Sequence, residues 1–264
     1  FHGLGKLTIH SIELAGNAEL TPAELKSGTY RPEIWSIEID GEFSHGKFVT
    51  GIWRYTGASE KVLDKLLTMN VDKRQDQLLG RMYYKKSLLY EGYFEHYCFH
   101  GEGALFYRDG VQKKYEGGFK HGRFDGKGKL FDSKGKIVYD GEFVGGIYNG
   151  RGKLFQGLEE NLIYEGELLG GKVAGQGKML ESDGKSLRSE GRYVDGVLVE
   201  GFVKIYNKQS GKLVYEGMVL DGLYEGTGVL FNSSGEVSIK GTFSKGELLE
   251  GIKKEYHNDG SLRR

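Results

Sequence analysis

Proline is almost missing from this chain, with 2 among 264 residues, beside 44 glycines. That combination excludes collagen, which needs abundant proline and a glycine at every third position. The 17 tyrosines and 14 phenylalanines exclude a glycine-rich disordered linker, because such linkers lack the apolar surface to fold. Cysteine occurs once, at Cys98, so an internal disulfide framework is excluded and a reducing compartment fits. No apolar run approaches the ~18 residues of a membrane span, and no signal-peptide pattern opens the sequence. A charge excess of one sign is lacking too. The 37 basic and 37 acidic residues balance on both sides of residue 89, which excludes the one-sided basic field of a nucleic-acid binder. The chain opens on Phe1 in the middle of a repeat and so reads as a piece of a longer protein.

What is present is repetition. From Tyr90 onward the same phrase returns seven times, as YEGYFEHYCFHGEGALFY from Tyr90, YEGGFKHGRFDGKGKLF from Tyr115, YDGEFVGGIYNGRGKLF from Tyr139, YEGELLGGKVAGQGKML from Tyr164 and YEGMVLDGLYEGTGVLF from Tyr215. Looser copies begin at Ser189 and Ile239, and successive copies are 24 to 26 residues apart. Such a period marks a stacked-repeat protein, in which each unit buries its apolar face on its neighbours.

The first 89 residues carry the pattern irregularly. Gly3-x-Gly5-x-Leu7 matches the second half of a repeat, and IDGEFSHGKFVTGIWRY from Ile39 is a further copy in which Gly51 replaces Gly-x-Gly, as Gly201 and Gly251 do later. Two insertions interrupt, at about 10–38 and 57–68. In the first, Thr21-Pro22-Ala23-Glu24 is a capping box with Pro at the first helical position, and Gly28 is a stop signal. In the second, Ser59 caps a stretch whose Val62, Leu63, Leu66 and Leu67 share one helical face. Met69 to Leu89 reads as a decayed copy. The expected organisation is therefore 1–89, irregular repeats with helical insertions, and 90–264, a regular array.

Each copy reads as a β-hairpin. Tyr115, Gly117 and Phe119 alternate with Glu116 and Gly118, and Gly126, Gly128 and Leu130 alternate with Lys127 and Lys129, on either side of a turn at His121-Gly122. Turn-forming runs such as DSKG at 132–135 and NSSG at 232–235 lead into the next hairpin. Glycine on the same face as the rings lets an aromatic side chain lie flat on bare backbone. The expected fold is all-β: an elongated twisted ribbon of stacked antiparallel hairpins, an open single-layer, solenoid-like sheet, with one or two short helices in the N-terminal third.

The residues Tyr115-Glu116-Gly117, Phe119, Gly122, Gly126-x-Gly128, Leu130 and Gly135 resemble the MORN (membrane occupation and recognition nexus) repeat, whose pattern is close to YEGEWxxGxxHGxGxLxxxxG. The copies at Ile39, Ser189 and Ile239 are similar to its shorter variant. The copies here are longer than the family's, and Phe94, Phe119 and Leu168 stand where Trp is common. The resemblance implies a non-catalytic module that binds protein partners, dimerises or sits beside membranes, in some proteins next to an enzyme domain.

Several residue sets are candidates for chemistry. The Gly-x-Gly elements are not phosphate cradles, because no helix follows Gly126 or Gly150. His96, Cys98 and His100 would share one strand face, yet ligands two residues apart in a strand rarely converge, so no metal and no cofactor is expected. The carboxylates Glu91, Glu116, Asp140, Glu165, Glu190 and Glu216 form a column, one per repeat, that pairs with Lys and Arg across a solvated face rather than doing acid–base work, so no catalytic residue and no enzyme activity is expected. Lys127, Lys129, Arg151, Lys153 and Lys178 form a basic ladder that could meet anionic phospholipid headgroups. Tyr90, Phe94, Leu105, Tyr115, Phe119, Leu130, Tyr139, Phe143, Leu154 and Tyr164 outline an aromatic groove for a partner helix or peptide, since a single-layer sheet cannot bury both faces. The helices near Ala23 and Ser59 would either cover that groove or build it.

The function expected from the sequence is a non-enzymatic scaffold or adaptor binding a protein partner along the aromatic groove, with homodimerisation through exposed strand edges. A peripheral phospholipid-binding module and a regulatory segment of a larger enzyme are the alternatives. The expected setting is cytoplasmic, at the cytoskeleton or at a membrane periphery.

Overall fold

A computed structural model of the chain describes residues 3–14, 33–44, 47–57, 67–69, 72–74, 77–84, 87–95 and 98–254, with side chains described for 79–83, 87–95 and 98–254. Every described element is a strand. A four-stranded sheet is formed by β1 (Gly3–Leu14), β2 (Glu33–Ser44), β3 (Lys47–Gly57) and β4 (Leu67–Met69), in that order. A second sheet begins with β5 (Asp72–Arg74), β6 (Gln77–Tyr84), β7 (Ser87–Glu95), β8 (Cys98–Phe106), β9 (Lys113–Lys120), β10 (Arg123–Phe131) and β11 (Ile137–Val144). It continues with β12 (Ile147–Gln156), β13 (Asn161–Leu169), β14 (Lys172–Leu180), β15 (Leu187–Val194) and β16 (Val197–Tyr206). The last four strands are β17 (Leu213–Leu220), β18 (Leu223–Phe231), β19 (Val237–Ser244) and β20 (Glu247–Lys253). The strand order of this sheet is the chain order, antiparallel and unclosed, so the fold is all-β and built of stacked hairpins. By compactness the chain divides into residues 1–152 and 153–264.

The reason for the repeated phrase is visible at Tyr115. Gly117 and Gly128 face each other across β9 and β10, and the Tyr115 ring lies over Gly128, where a β-carbon would collide with the hydroxyl. That hydroxyl donates to the carbonyl of Gly118 at 2.9 Å. Tyr90, Tyr139, Tyr164 and Tyr215 repeat the bond to the carbonyl three residues on, at 2.7–2.9 Å. A buried phenol therefore keeps its hydrogen bond while its ring covers bare backbone.

The ring stacks on Phe124 at 3.8 Å between centroids and meets Phe119 edge-on at 5.0 Å and Phe143 of the next repeat at 5.2 Å. Tyr90 does the same with Phe99, Phe94 and Phe119. These two repeats thus close their cores with a ring borrowed from the next. This is the physical content of the period, because no single hairpin buries its own aromatic face.

Two-residue turns join the strands of a hairpin. His121-Gly122 has φ of 49° and 78°, and Asp195-Gly196, Asp221-Gly222 and Lys245-Gly246 repeat this left-handed pair. That geometry suits the twist of the flanking strands and explains the glycine in second place. The loops between hairpins are tied by a side chain: Asp132 accepts from the backbone of Lys134 and Lys136, and Asn232 from that of Ser234 and Glu236, all at 2.9–3.0 Å.

At the N-terminus the repeat pattern reaches further than expected. β1 runs through residues 10–14 and β2 starts at Glu33, ahead of the recognisable copy at Ile39, and Gly5, Gly41 and Gly51 align across β1 to β3 as the glycines do elsewhere. The helix expected around Thr21 to Gly28 lies outside the described residues. So do Ser59, Val62, Leu63 and Leu66 of the second helix, whereas Leu67 opens β4.

Candidate partner-binding surface

Alternation along each strand gives the array two unlike faces. One carries the rings. Among the residues expected to outline a groove, Tyr90, Phe94, Leu105, Tyr115, Phe119, Leu130, Tyr139, Phe143 and Tyr164 are at most 3% exposed, and only Leu154 is half-buried. Phe99, Phe124, Tyr148 and Tyr193, which the sequence reading left out, belong to the same packing. Burial pushes the Tyr90, Tyr115, Tyr139 and Tyr164 hydroxyls well above the ordinary phenol range. These side chains are inter-repeat core. Rings that face each other leave a partner almost nothing to touch, so the accessible surface lies elsewhere.

The opposite face carries the charges, and they pair. In residues 1–152, Arg81 meets Glu91 at 3.1 Å and Lys129 meets Asp140 at 3.5 Å, while Glu116 takes Lys113 at 2.9 Å. In residues 153–264, Lys153 meets Glu165 at 3.1 Å, Lys178 meets Glu190 at 3.2 Å and Lys204 meets Glu216 at 3.5 Å. Within each unit, carboxylates of the column thus alternate across the strands with lysines, among them Lys129 in the first and Lys153 and Lys178 in the second. All these groups are partly exposed, so each pair contributes at most about 1 kcal/mol. Because Lys129, Lys153 and Lys178 are matched by acids, the field available to an anionic headgroup is small. Lys127 and Arg151 are exposed and form no ion pair among the described residues.

His100 turns to Glu95, with Nδ1 2.9 Å from the carboxylate, an ion pair only when the imidazole is protonated. Its ring lies 5.8 Å from that of His121. Cys98 stands opposite Glu95 in register, and His96 lies outside the described residues. Among the described residues no three histidine, cysteine or acidic side chains converge on a metal position.

The alternating row is broken in two places. Ala104 stands between Glu91 and Glu116 where later repeats have lysine. This opens a depression of about 540 Å³ floored by Gly80, Gly92 and Gly103 and bordered by Arg81, Glu91, Glu102 and Glu116. The second break is apolar and involves more rungs. Phe202 stands opposite Glu190, Val229 opposite Glu216, and Ile252 opposite Lys240. Phe202 also faces Met218 and Thr227 faces Thr242, forming a second row beside the first. Between the rows runs an open groove of about 440 Å³ lined by Phe202, Met218, Thr227, Val229, Lys240 and Thr242. Met218 is 39% and Ile252 66% exposed, and Leu220 and Leu223 at the adjoining turn are open to solvent as well.

Sequence reasoning missed this groove because it followed what the repeats share. Aligning the copies on their paired glycines would have found it, since Lys240 falls in the column that holds an acid in the preceding repeats. No protein-family model matches the chain, and no curated protein matches it.

Proposed function

We infer that this chain is a non-catalytic repeat scaffold that binds a protein partner on the charged face of its sheet, at the apolar break over β16–β20. The observation that carries the reading is that Phe202, Val229 and Ile252 stand opposite Glu190, Glu216 and Lys240, where neighbouring rungs of the row pair opposite charges. A solvated row tolerates charge at every place, so the half-buried Phe202 and Val229 and the exposed Met218 and Ile252 leave apolar surface there that is stabilising only when something covers it. The resemblance to MORN repeats points the same way.

A photoreactive residue replacing Met218 tests it in cells. A reproducible adduct with one protein, absent when the probe replaces Lys134 and lost on Val229→Lys, supports the scaffold reading. Equal labelling from both positions overturns it. Recruitment to anionic liposomes at low salt that Lys178→Glu abolishes would replace it with the phospholipid-binding alternative.

A further inference from the structure

We propose that the groove over β16–β20 accepts an amphipathic α-helix lying across the strands, with an acidic residue placed to meet Lys240. The proposal rests on the protein-binding reading above and names the partner's chemistry.

The floor excludes an extended peptide. On that floor Gly217 pairs with Gly228 and Gly241 with Gly251, so the backbone groups beneath the groove are engaged in the ladder. A strand laid on that floor would bury its own N–H and C=O groups with nothing to bond. A helix arrives with those groups already satisfied.

The spacing fits as well. Phe202, Met218, Thr227 and Thr242 come from four successive strands, which follow one another at about 4.8 Å. A helix rises about 5.4 Å per turn, so side chains at i, i+4, i+7 or i+8 and about i+11 each meet one of the four strands, and the mismatch stays at ~2 Å over them.

The charge sets the partner's sign. Lys240 stands in register between Val229 and Ile252, neither of which can neutralise it, and it forms no ion pair among the described residues. Covering the groove takes water from that ammonium, which is costly without an opposing carboxylate. Glu216, the acid in the same groove, is already matched by Lys204 at 3.5 Å and calls for no cation. A helix bearing Asp or Glu against Lys240 is therefore favoured over one bearing Lys or Arg.

The test is selection from a display library of 16-residue peptides, half biased to helix and half to extended segments, against the intact chain. The expected binders have apolar residues at i, i+4 and i+7 or i+8 with one acid on the same face. They lose at least tenfold in affinity on Met218→Glu, and Lys240→Glu reverses their preference from acidic to basic variants. Circular dichroism confirms that both variants fold. Binders that depend on Met218 but are extended or indifferent to Lys240→Glu overturn the acidic helix while leaving the protein-binding reading intact. Binders that ignore Met218→Glu overturn both. So does a concentration-dependent dimer that Met218→Glu dissolves, which would make a second copy of the chain the occupant.

Discussion

Gly128 lies so close beneath the ring of Tyr115 that a β-carbon added to it would meet the phenol hydroxyl. Gly128→Ala therefore has to lift the ring off the backbone and disturb its stack on Phe124 and its hydrogen bond to Gly118. The expected loss is about 1–3 kcal/mol, the usual cost of overpacking. Urea denaturation checks it in a double-mutant cycle: in a Tyr115→Leu background the same glycine change should cost much less. Equal losses in both backgrounds would show that the ring is not the cause.

Alkaline pH should weaken the fold. Burial pushes the Tyr215 hydroxyl up to about 12, and the same cause raises Tyr90, Tyr115, Tyr139 and Tyr164. In the unfolded chain tyrosine ionises near pH ~10. Above that value the unfolded state sheds protons that the folded state keeps, so stability is complete below pH ~10 and falls as pH rises toward the folded values. Urea midpoints should be level from pH ~8 to ~9.5 and drop steadily to pH ~12. A level profile throughout contradicts the burial.

The ion pairs should matter little one at a time. Lys178 and Glu190 are 3.2 Å apart but half-exposed, so Lys178→Ala should cost under about 1 kcal/mol. The difference from the parent chain should shrink further in about 0.5 M salt. A loss above about 2 kcal/mol would mean that the row carries the fold, contrary to the account above.

Restoring the missing rung at Ala104 should do the opposite. Ala104→Lys places an ammonium between Glu91 and Glu116, in a depression with room for it. The expected gain is up to about 1 kcal/mol at low salt. Net destabilisation in chemical denaturation would show that the depression does not admit the side chain.

The hairpins, their paired glycines and the turn at His121-Gly122 were all readable from residue order, because they answer to local rules. A ring two places from a glycine, a left-handed turn pair and period-two alternation act over a few residues and recur with every copy. The partner surface was not readable in the same way. Which face a ring fills depends on whether Phe143 reaches back to Tyr115, a contact 28 residues apart in the chain that only the stacking of hairpins makes. Stacking turned the expected aromatic groove into core. It also brought Phe202, Val229, Lys240 and Ile252 from different copies together into a largely apolar break in the charged row. Residue order by itself determined that this chain stacks hairpins, since each copy leaves an apolar face it cannot bury alone. Tertiary structure decided which face stays open, because that depends on strand register across copies.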